Sequence, residues 1–216
     1  MNATSEKINS NNNVTHFFAG CDHNVLHEIV AEAIEELGDK SKAICVSPVG
    51  CANYAYNYTN IDFCQSAGNH AAAVSTGIKK VRPEHIVFTY QDNNQITLDT
   101  GEIIHAANRG ENITVIFNNN GTYDLNAKND DVTARKPIKL SEIIAALESS
   151  VYVARIAIND DANKTTAKNA IKHAFKLQKA KKGFTFLEVV GKCNSNAECD
   201  NVFPLGVFKD KFANIA

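Results

Sequence analysis

The sequence has no tryptophan, and charge of neither sign dominates it: 22 lysines and arginines stand against 24 aspartates and glutamates, giving a formal net charge of -2. This balance argues against a nucleic-acid-binding protein, which needs a basic surface. The one concentration of lysines, "KLQKAKKG", is interpreted as the solvated face of a helix. Because 44% of the 216 residues are hydrophobic, the chain can bury a full-sized core.

No apolar run reaches the roughly 18 residues that a membrane-spanning helix needs. The first residues, "MNATSEKINSNNN", lack the apolar stretch of a signal peptide. We therefore expect a cytoplasmic protein with no membrane segment, a disordered tail at residues 1–14 and a single domain at 15–216. In a reducing compartment its six cysteines are expected to be thiols or metal ligands rather than disulfides. Neither a P-loop nor a G-x-G-x-x-G motif occurs, which argues against a general nucleotide-binding domain.

Apolar periodicity alternates between helix and strand along most of the chain. In "DHNVLHEIVAEAIEELG" it predicts a helix with Asp22 as N-cap and Gly38 beyond its last turn. Further helices are predicted in "HAAAVSTGIKKV", "GEIIHAANRG", "LSEIIAALE" and "TTAKNAIKHAFKLQKA", and strands in "KAICVS", "HIVFTY", "ITVIF", "VYVARIAI" and "GFTFLEVV". Continuous apolar strands separated by helices predict a doubly wound, mostly parallel α/β fold. Such folds bind ligands beyond the carboxyl ends of their strands.

Polar side chains follow two of these predicted strands. Asn118, Asn119 and Asn120 follow the apolar run from Ile113 to Phe117, and Asp92 follows "HIVFTY". One interpretation is ordinary turn chemistry, because asparagine and aspartate are common in turns. The other is a cation site, because carboxylate and amide oxygens at neighbouring strand ends are ligands that Mg²⁺ prefers. Spacing alone favours the turns.

Long stretches of the sequence resemble a known family, which favours the cation site. The chain is similar to the thiamine-diphosphate-binding β subunit of 2-oxoacid:ferredoxin oxidoreductases, closest to the 2-ketoisovalerate (branched-chain) type. The resemblance covers roughly residues 16–193, resumes near the C terminus and keeps its motifs in order, which makes it more specific than a short motif. It rests on "FFAGCDHNVLHEIVAEAIEELG", "VSPVGCANYAYNYTNIDF", "VSTGIKKVRPEHIVFTYQ", "GEIIHAANRGENITVIFNNNGTY" and "FPLGVFK".

The resemblance implies a thiamine-diphosphate-binding fold and a set of cofactor ligands. Asp92 takes the place of the Mg²⁺-binding aspartate of a GDG motif, Asn120 is implied as a side-chain ligand, and Thr122 as a carbonyl ligand. Further cofactor contacts are expected from Gly50, Cys51, His23, His70, Asn94 and Tyr123. The motifs also depart from the family pattern. Its GDGD reads "DNNQ" here, its TGGQ reads "NAKN", and its HGRA reads "GNHA".

The family's β subunits usually carry a [4Fe-4S] cluster on four cysteines. Cys21, Cys51 and Cys193 match three of these positions, and Phe18 stands where the first of the four cysteines belongs. With three matches out of four, two alternatives stay open: the chain holds an incomplete or labile cluster, or it holds no cluster. Zinc bound with the help of Cys199 is a lesser alternative. Cys45 and Cys64 are interpreted as small core residues.

The implied function is that of the cofactor-binding subunit of an oxidoreductase that decarboxylates a 2-oxoacid oxidatively to acyl-CoA and passes electrons to ferredoxin. No side chain of this chain is assigned as a catalytic acid or base. The implied partners are a pyrimidine-domain (alpha) subunit and ferredoxin or a ferredoxin-like subunit, with a 2-oxoacid and coenzyme A as substrates. The alternative function is a non-catalytic, degenerate scaffold subunit that keeps the fold. His23, His27 and His105 fall on predicted helices, where a histidine is more often a capping or partly exposed residue than a catalyst.

Overall fold

A seven-stranded sheet with helices on both faces forms the protein in a computed structural model that describes residues 21–57, 59–120, 138–192 and 204–213. The strands are β1 (Ala43–Ser47), β2 (Asp62–Gln65), β3 (Ile86–Asp92), β4 (Thr114–Asn119), β5 (Ser150–Ala157), β6 (Phe184–Val190) and β7 (Gly206–Asp210). The helices are α1 (His23–Glu36), α2 (Ala71–Val81), α3 (Asn93–Asn108), α4 (Leu140–Ala146) and α5 (Asp161–Lys179). Short 3-10 turns span Lys40–Lys42 and Cys51–Asn57.

The strand order is β2-β1-β3-β4-β6-β5-β7. The first six strands pair in parallel, and β7 is antiparallel to β5 at one edge. The doubly wound, mostly parallel fold predicted from the sequence is therefore confirmed. Because the strands are parallel, the carboxyl ends of β1, β3, β4 and β6 meet at one edge of the sheet, where such folds bind ligands.

Two apolar layers cover the sheet. Helices α1 and α5 pack on one face together with Phe88, Tyr90 and Ile116, and α3 and α4 pack on the other face together with Val115 and Phe117. Successive side chains of a strand point to opposite faces of the sheet. The face of each later residue of β3 and β4 therefore follows from the faces of these core residues. We call the two sides the α1 face and the α3 face.

The predicted helices and strands are present, with two differences in the segments that approach the carboxyl edge. The turn interpretation does not hold at Asn118 and Asn119, because β4 continues through both residues, which pair with Val189 and Val190 of β6. Helix α3 begins at Asn93, well before the predicted "GEIIHAANRG", because Asp92 and Gln95 form a capping box at its N terminus.

The short edge strands β2 and β7 were not predicted from periodicity. Within the described ranges no helix has the length and apolar character needed to cross a membrane. The predicted tail at residues 1–14 lies outside the described residues, and the single domain stays a prediction.

Candidate functional site

Asp92 and Asn118 meet at the carboxyl edge of the sheet. They are register partners at the ends of β3 and β4. Asp92 is two residues beyond Tyr90 and Asn118 two beyond Ile116, so both side chains belong to the α1 face. The sequence-based expectation that an acidic tip and an amide-bearing tip are neighbours agrees with this register.

The Asp92 carboxylate is held by the start of α3. It accepts a hydrogen bond from the backbone N–H of Gln95, and the Asp92 N–H donates to Gln95 Oε1 at 2.9 Å. Both Asp92 and Gln95 are buried. The positive end of the helix dipole favours a negative charge at this position. The carboxylate is therefore fixed in orientation at the site.

Asn93 joins the two strand tips, and it was not predicted as a site residue. Its Nδ2 donates to Asn119 Oδ1 at 2.9 Å, and its Oδ1 accepts the backbone N–H of Asn120 at 2.7 Å. Asn93 is fully buried. One side chain thus sets the position of the predicted ligand Asn120 relative to Asp92. The only signal for it in the sequence was its place directly after Asp92.

A buried charged network lies beneath Asn119 on the α3 face. Asn119 Nδ2 donates to Glu188 Oε1 at 2.6 Å, and Glu188 Oε2 accepts from Ser141 at 2.5 Å. Arg155 Nε lies 2.9 Å from the same Glu188 carboxylate, and its two terminal nitrogens bind Glu142 at 3.0 and 2.6 Å. The Arg155 hydrogen bonds lower the pKa of Glu142. Charged residues inside the apolar runs "VYVARIAI" and "GFTFLEVV" were the signal that could have revealed this network.

The loop after β1 packs against the same tip. Gly50 has φ +144°, and a Cβ at this residue would lie 1.6 Å from Gln95 Nε2 and 3.6 Å from Asp92 Oδ2. Gln95 Nε2 donates to the Val49 carbonyl at 2.7 Å. Only glycine permits this approach with this backbone conformation. Gly50, an expected cofactor contact, is therefore a neighbour of Asp92.

Two histidines of α1 are buried beside the site, contrary to the expectation of partly exposed helix residues. His23 and His27 are 1% and 2% exposed. Burial lowers the pKa of His23 to about 4 and, together with the charge of His23, that of His27 to about 3. Cys21 Sγ lies 3.2 Å from His23 Nδ1. Both imidazoles are therefore neutral near pH 7.

Tyr90 packs against both histidine rings, with centroid distances of 6.3 Å to His23 and 5.0 Å to His27. Burial raises the pKa of Tyr90 well above its usual value, and the charges of Asp92, Cys45, Cys21 and Cys51 raise it further. The hydroxyl is buried and has no hydrogen-bond partner within the described residues.

The cysteines are distributed between core and surface. Cys21 and Cys45 are buried, Cys64 is half-buried on β2, and Cys51 is exposed at the start of its 3-10 turn. Burial raises the pKa of Cys45 strongly. None of these four cysteines forms a disulfide with another. Within the described ranges, no group of three His, Cys, Asp or Glu side chains is arranged to hold a metal ion.

Several predicted site residues lie outside the described residues. They are Thr122, Tyr123 and Cys193; Cys199 and Phe18, which stands in place of a cysteine ligand, lie outside as well. Asn94 belongs to the first turn of α3. The cluster and zinc interpretations therefore stay predictions.

His70 occupies the residue before α2 and is mostly exposed. Its Nδ1 lies 2.6 Å from Glu102 Oε1 of α3. Behind this pair is a buried carboxyl group, Asp99, whose Oδ2 accepts from Gln91 Nε2 at 2.6 Å and from the Ala72 N–H at 3.2 Å. Burial, together with the nearby Glu102, raises the pKa of Asp99 to about 7. An acidic cluster thus lies behind β3 on the α3 face.

Curated relatives match most of this chain. A ketoisovalerate oxidoreductase subunit, VorA, of Methanothermobacter thermautotrophicus is 32% identical over 231 residues, which covers 92% of this chain and 48% of the relative. A 2-oxoglutarate synthase subunit, KorB, of Methanocaldococcus jannaschii is 29% identical and covers 82% of this chain and 68% of the relative. The chain spans about half the length of the VorA relatives that it matches. No family model matches the chain.

Solved structures show the same fold. The 2-oxoglutarate:ferredoxin oxidoreductase from Magnetococcus marinus, with 2-oxoglutarate, coenzyme A and succinyl-CoA bound, superimposes with a TM-score of 0.74 at 21% identity, over 88% of this chain and 69% of that chain. A split-gene transketolase, described as an inactive beta4 tetramer, gives a TM-score of 0.53 at 12% identity, over 80% of this chain and 52% of that chain. The sequence matches, which span most of its length, show that the chain is a relative of 2-oxoacid:ferredoxin oxidoreductase β subunits.

Proposed function

We propose that this chain is the thiamine-diphosphate-binding part of an oxidoreductase that converts a 2-oxoacid and coenzyme A to acyl-CoA and passes electrons to ferredoxin. The family uses thiamine diphosphate. The observation that carries the proposal is the register of Asp92 with Asn118 at the ends of β3 and β4. This register brings a carboxylate and amide groups together where α/β folds bind their ligands.

The donor set at this edge fits a Mg²⁺–diphosphate group. Mg²⁺ takes oxygen ligands in octahedral geometry, usually one or two carboxylates together with phosphate oxygens and water. Asp92 offers a carboxylate fixed by α3, and Asn93 fixes the backbone of Asn120 nearby. Asp92 and the side chain of Asn120 would hold the cation, with the carbonyl of Thr122 as a third protein ligand.

The residues around the proposed cation would have different roles. When bound, thiamine diphosphate supplies the nucleophilic carbon and the electron sink for decarboxylation. Gly50 lets the β1 loop approach Asp92 closely, and the buried network under Asn119 keeps the β4 tip in place. His23, which burial keeps neutral, would be an uncharged contact of the cofactor. Cys51, His70, Asn94 and Tyr123 are the further proposed cofactor contacts.

The rest of the proposed activity would come from protein parts outside this sequence, which spans about half the length of its VorA relatives. A pyrimidine-domain (alpha) subunit would complete the cofactor site, and ferredoxin or a ferredoxin-like subunit would accept the electrons. A cluster on Cys21, Cys51 and Cys193 would carry these electrons toward the acceptor. The cytoplasmic location stays a prediction.

Calorimetric titration of the partnered protein with thiamine diphosphate and Mg²⁺ tests the proposal. Asp92→Asn keeps a helix-capping side chain but removes the charge, and we expect cofactor affinity to fall about tenfold or more. The matched control is Asp160→Asn, which changes the N-cap of α5. Its cofactor affinity should equal that of the wild type.

The proposal is overturned by either of two results. One is no binding by the wild type while a related enzyme binds in a parallel titration. The other is equal cofactor affinity of Asp92→Asn and the wild type. The first result would favour the scaffold function.

A further inference from the structure

The strongest unassigned feature of the carboxyl edge is the side chain of Asn118. It is fully buried, and neither its Oδ1 nor its Nδ2 has a hydrogen-bond partner within the part of the chain that the structure describes. Buried amides in folded proteins are nearly always hydrogen-bonded, so such a group indicates a missing partner. We propose that Asn118 Oδ1 is a further oxygen contact for the divalent cation of the cofactor, an inference that rests on the proposed function.

Asn118 lies on the same sheet face as the expected cation ligand. It is the register partner of Asp92, and both residues follow α1-face core residues by two positions. In a parallel pair, register partners point to the same side of the sheet. Asn119, by contrast, points to the α3 face and uses its amide on Asn93 and Glu188. Adjacent amides of β4 therefore have different tasks, one structural and one available to a ligand.

A second carboxylate borders Asn118 on its other side. Gly191 follows β6, and a Cβ built on it would lie 3.0 Å from Asn118 Oδ1 and 3.4 Å from Asp22 Oδ2. Asp22 is anchored by the Lys192 N–H, which donates to its Oδ2 at 2.5 Å. Carboxylates on both sides of an amide oxygen create a negative potential that favours a cation over an anion. Gly191 itself has no side chain, and a Cβ at this residue would crowd Asn118 Oδ1.

The alternative occupant is a structural water that bridges the amide to the backbone. The two occupants predict different effects of an apolar replacement. If a water satisfies Asn118 permanently, Asn118→Leu should destabilise the protein without cofactor. If the partner is the cation, the Asn118 amide makes no hydrogen bond in the cofactor-free protein. Replacing this unpartnered amide by an apolar group of similar size should then leave the stability unchanged or raise it.

The experiment measures two properties of the partnered protein. The first is the melting temperature without cofactor. The second is the affinity for Mn²⁺, a paramagnetic substitute for Mg²⁺. Mn²⁺ is titrated at a fixed concentration of thiamine diphosphate, and free Mn²⁺ is measured by its electron paramagnetic resonance spectrum. For Asn118→Leu we expect an unchanged or higher melting temperature and Mn²⁺ binding weaker by about tenfold or more. Asn118→Asp keeps an oxygen and should bind Mn²⁺ at least as tightly as the wild type.

Asn112→Leu is the control at the opposite end of β4. Asn112 Nδ2 donates to the Gln178 carbonyl at 2.9 Å, so this variant should melt at a lower temperature and keep its Mn²⁺ affinity. The inference is overturned if Asn118→Leu binds Mn²⁺ as the wild type does, or if Asn118→Asp loses binding together with Asn118→Leu, which would assign the amide to the diphosphate through its N–H. If the wild type binds no Mn²⁺, the proposed function fails as well. If the wild type binds Mn²⁺ and Asn118→Leu binds it equally well, only this inference fails and the proposed function stands.

Discussion

Asn119 and Glu188 are joined by a hydrogen bond of 2.6 Å between Nδ2 and Oε1, which ties the tip of β4 to the interior of β6. Glu188 is fully buried and forms an ion pair with the equally buried Arg155. Because Asn119 also binds Asn93, this one carboxylate connects the charged interior to the start of α3. The carboxyl edge of the sheet is therefore held by polar contacts as well as by apolar packing.

Removing Arg155 should destabilise the fold strongly. Arg155→Met leaves the Glu188 carboxylate buried without its cation, and breaking a buried pair on one side costs about 3–5 kcal/mol. Urea denaturation of wild type and variant measures this difference. The double variant Arg155→Met/Glu188→Gln removes the uncompensated charge and should recover part of the loss.

A surface pair supplies the control for this prediction. Lys172 binds Glu36 at 2.6 Å between α5 and α1, and both side chains are partly exposed. Lys172→Met should cost less than about 1 kcal/mol. Equal costs for Arg155→Met and Lys172→Met would show that the buried network does not hold β4 and β6 in place.

The sequence predicted the fold well because both faces of the sheet are covered, which gives the central strands continuous apolar runs. It missed β2, whose four residues lie at the sheet edge with Asp62 and Gln65 exposed, since such a strand needs no apolar pattern. It also missed the first two turns of α3, where asparagine and threonine replace the usual apolar stripe. A capping box, rather than periodicity, begins that helix.

Of the site, the sequence predicted the strand ends but not their internal partners. Asp92 and Asn118 could be placed at neighbouring tips because parallel strands end at one edge. The contacts of Asn119 with Asn93 and Glu188 could not be predicted, because separations of 26 and 69 residues are bridged only by strand register. Local sequence patterns do not contain that register.

Asp99 should make stability fall as the pH rises toward neutrality. Its pKa is about 7 in the folded protein against 3.8 for the ordinary side chain. Between about pH 4 and 7 the folded state therefore binds more protons than the unfolded state, so the free energy of unfolding decreases with rising pH. Asp99→Asn keeps an oxygen for Gln91 and Ala72 and abolishes this titration.

The measurement for Asp99 is the free energy of unfolding at several pH values. We expect Asp99→Asn to be more stable than the wild type at pH 7.5 by more than about 1 kcal/mol, with a flatter profile between pH 4 and 7. Glu28→Gln, on the exposed side of α1, should leave the profile unchanged. Parallel profiles of wild type and Asp99→Asn would disprove the prediction.

His27 should have the opposite effect. Burial lowers its pKa from 6.5 to about 3, so the unfolded state binds the extra proton first as the pH falls. The stability that the neutral imidazole contributes is complete above pH 6.5 and is lost progressively below it. His27→Gln should therefore reduce the decrease in unfolding free energy as the pH falls below 6.5 (the acid limb of the stability profile), whatever its effect at neutral pH.

Because Asp99 titrates over the same range, the His27 measurement is best made in the Asp99→Asn background. The change of unfolding free energy between pH 6.5 and 4.5 is compared with and without His27→Gln. His105→Gln is the control, since His105 is exposed on α3. An acid limb as steep in the His27 variant as in its parent would show that His27 is already protonated in the fold.

Gly50→Ala should disturb the contact between the β1 loop and the start of α3. The new methyl group would lie 1.6 Å from Gln95 Nε2, and the backbone φ of +144° is one that alanine rarely adopts. We expect a loss of about 2 kcal/mol or more in unfolding free energy, because overpacking and a strained backbone add. Gly77→Ala on α2, where no heavy atom lies within 4 Å of the added methyl, should instead stabilise the protein by about 0.5–1 kcal/mol.

The double variant Gly50→Ala/Gln95→Ala separates the two causes of the loss at Gly50. Removing the Gln95 amide relieves the collision but not the strain at φ +144°, so the double variant should lose less than the sum of the two single variants. Chemical denaturation of all four proteins gives the coupling energy. If the losses are simply additive, the Gln95 side chain does not pack against Gly50, and the β1 loop must lie farther from Asp92 than this contact requires.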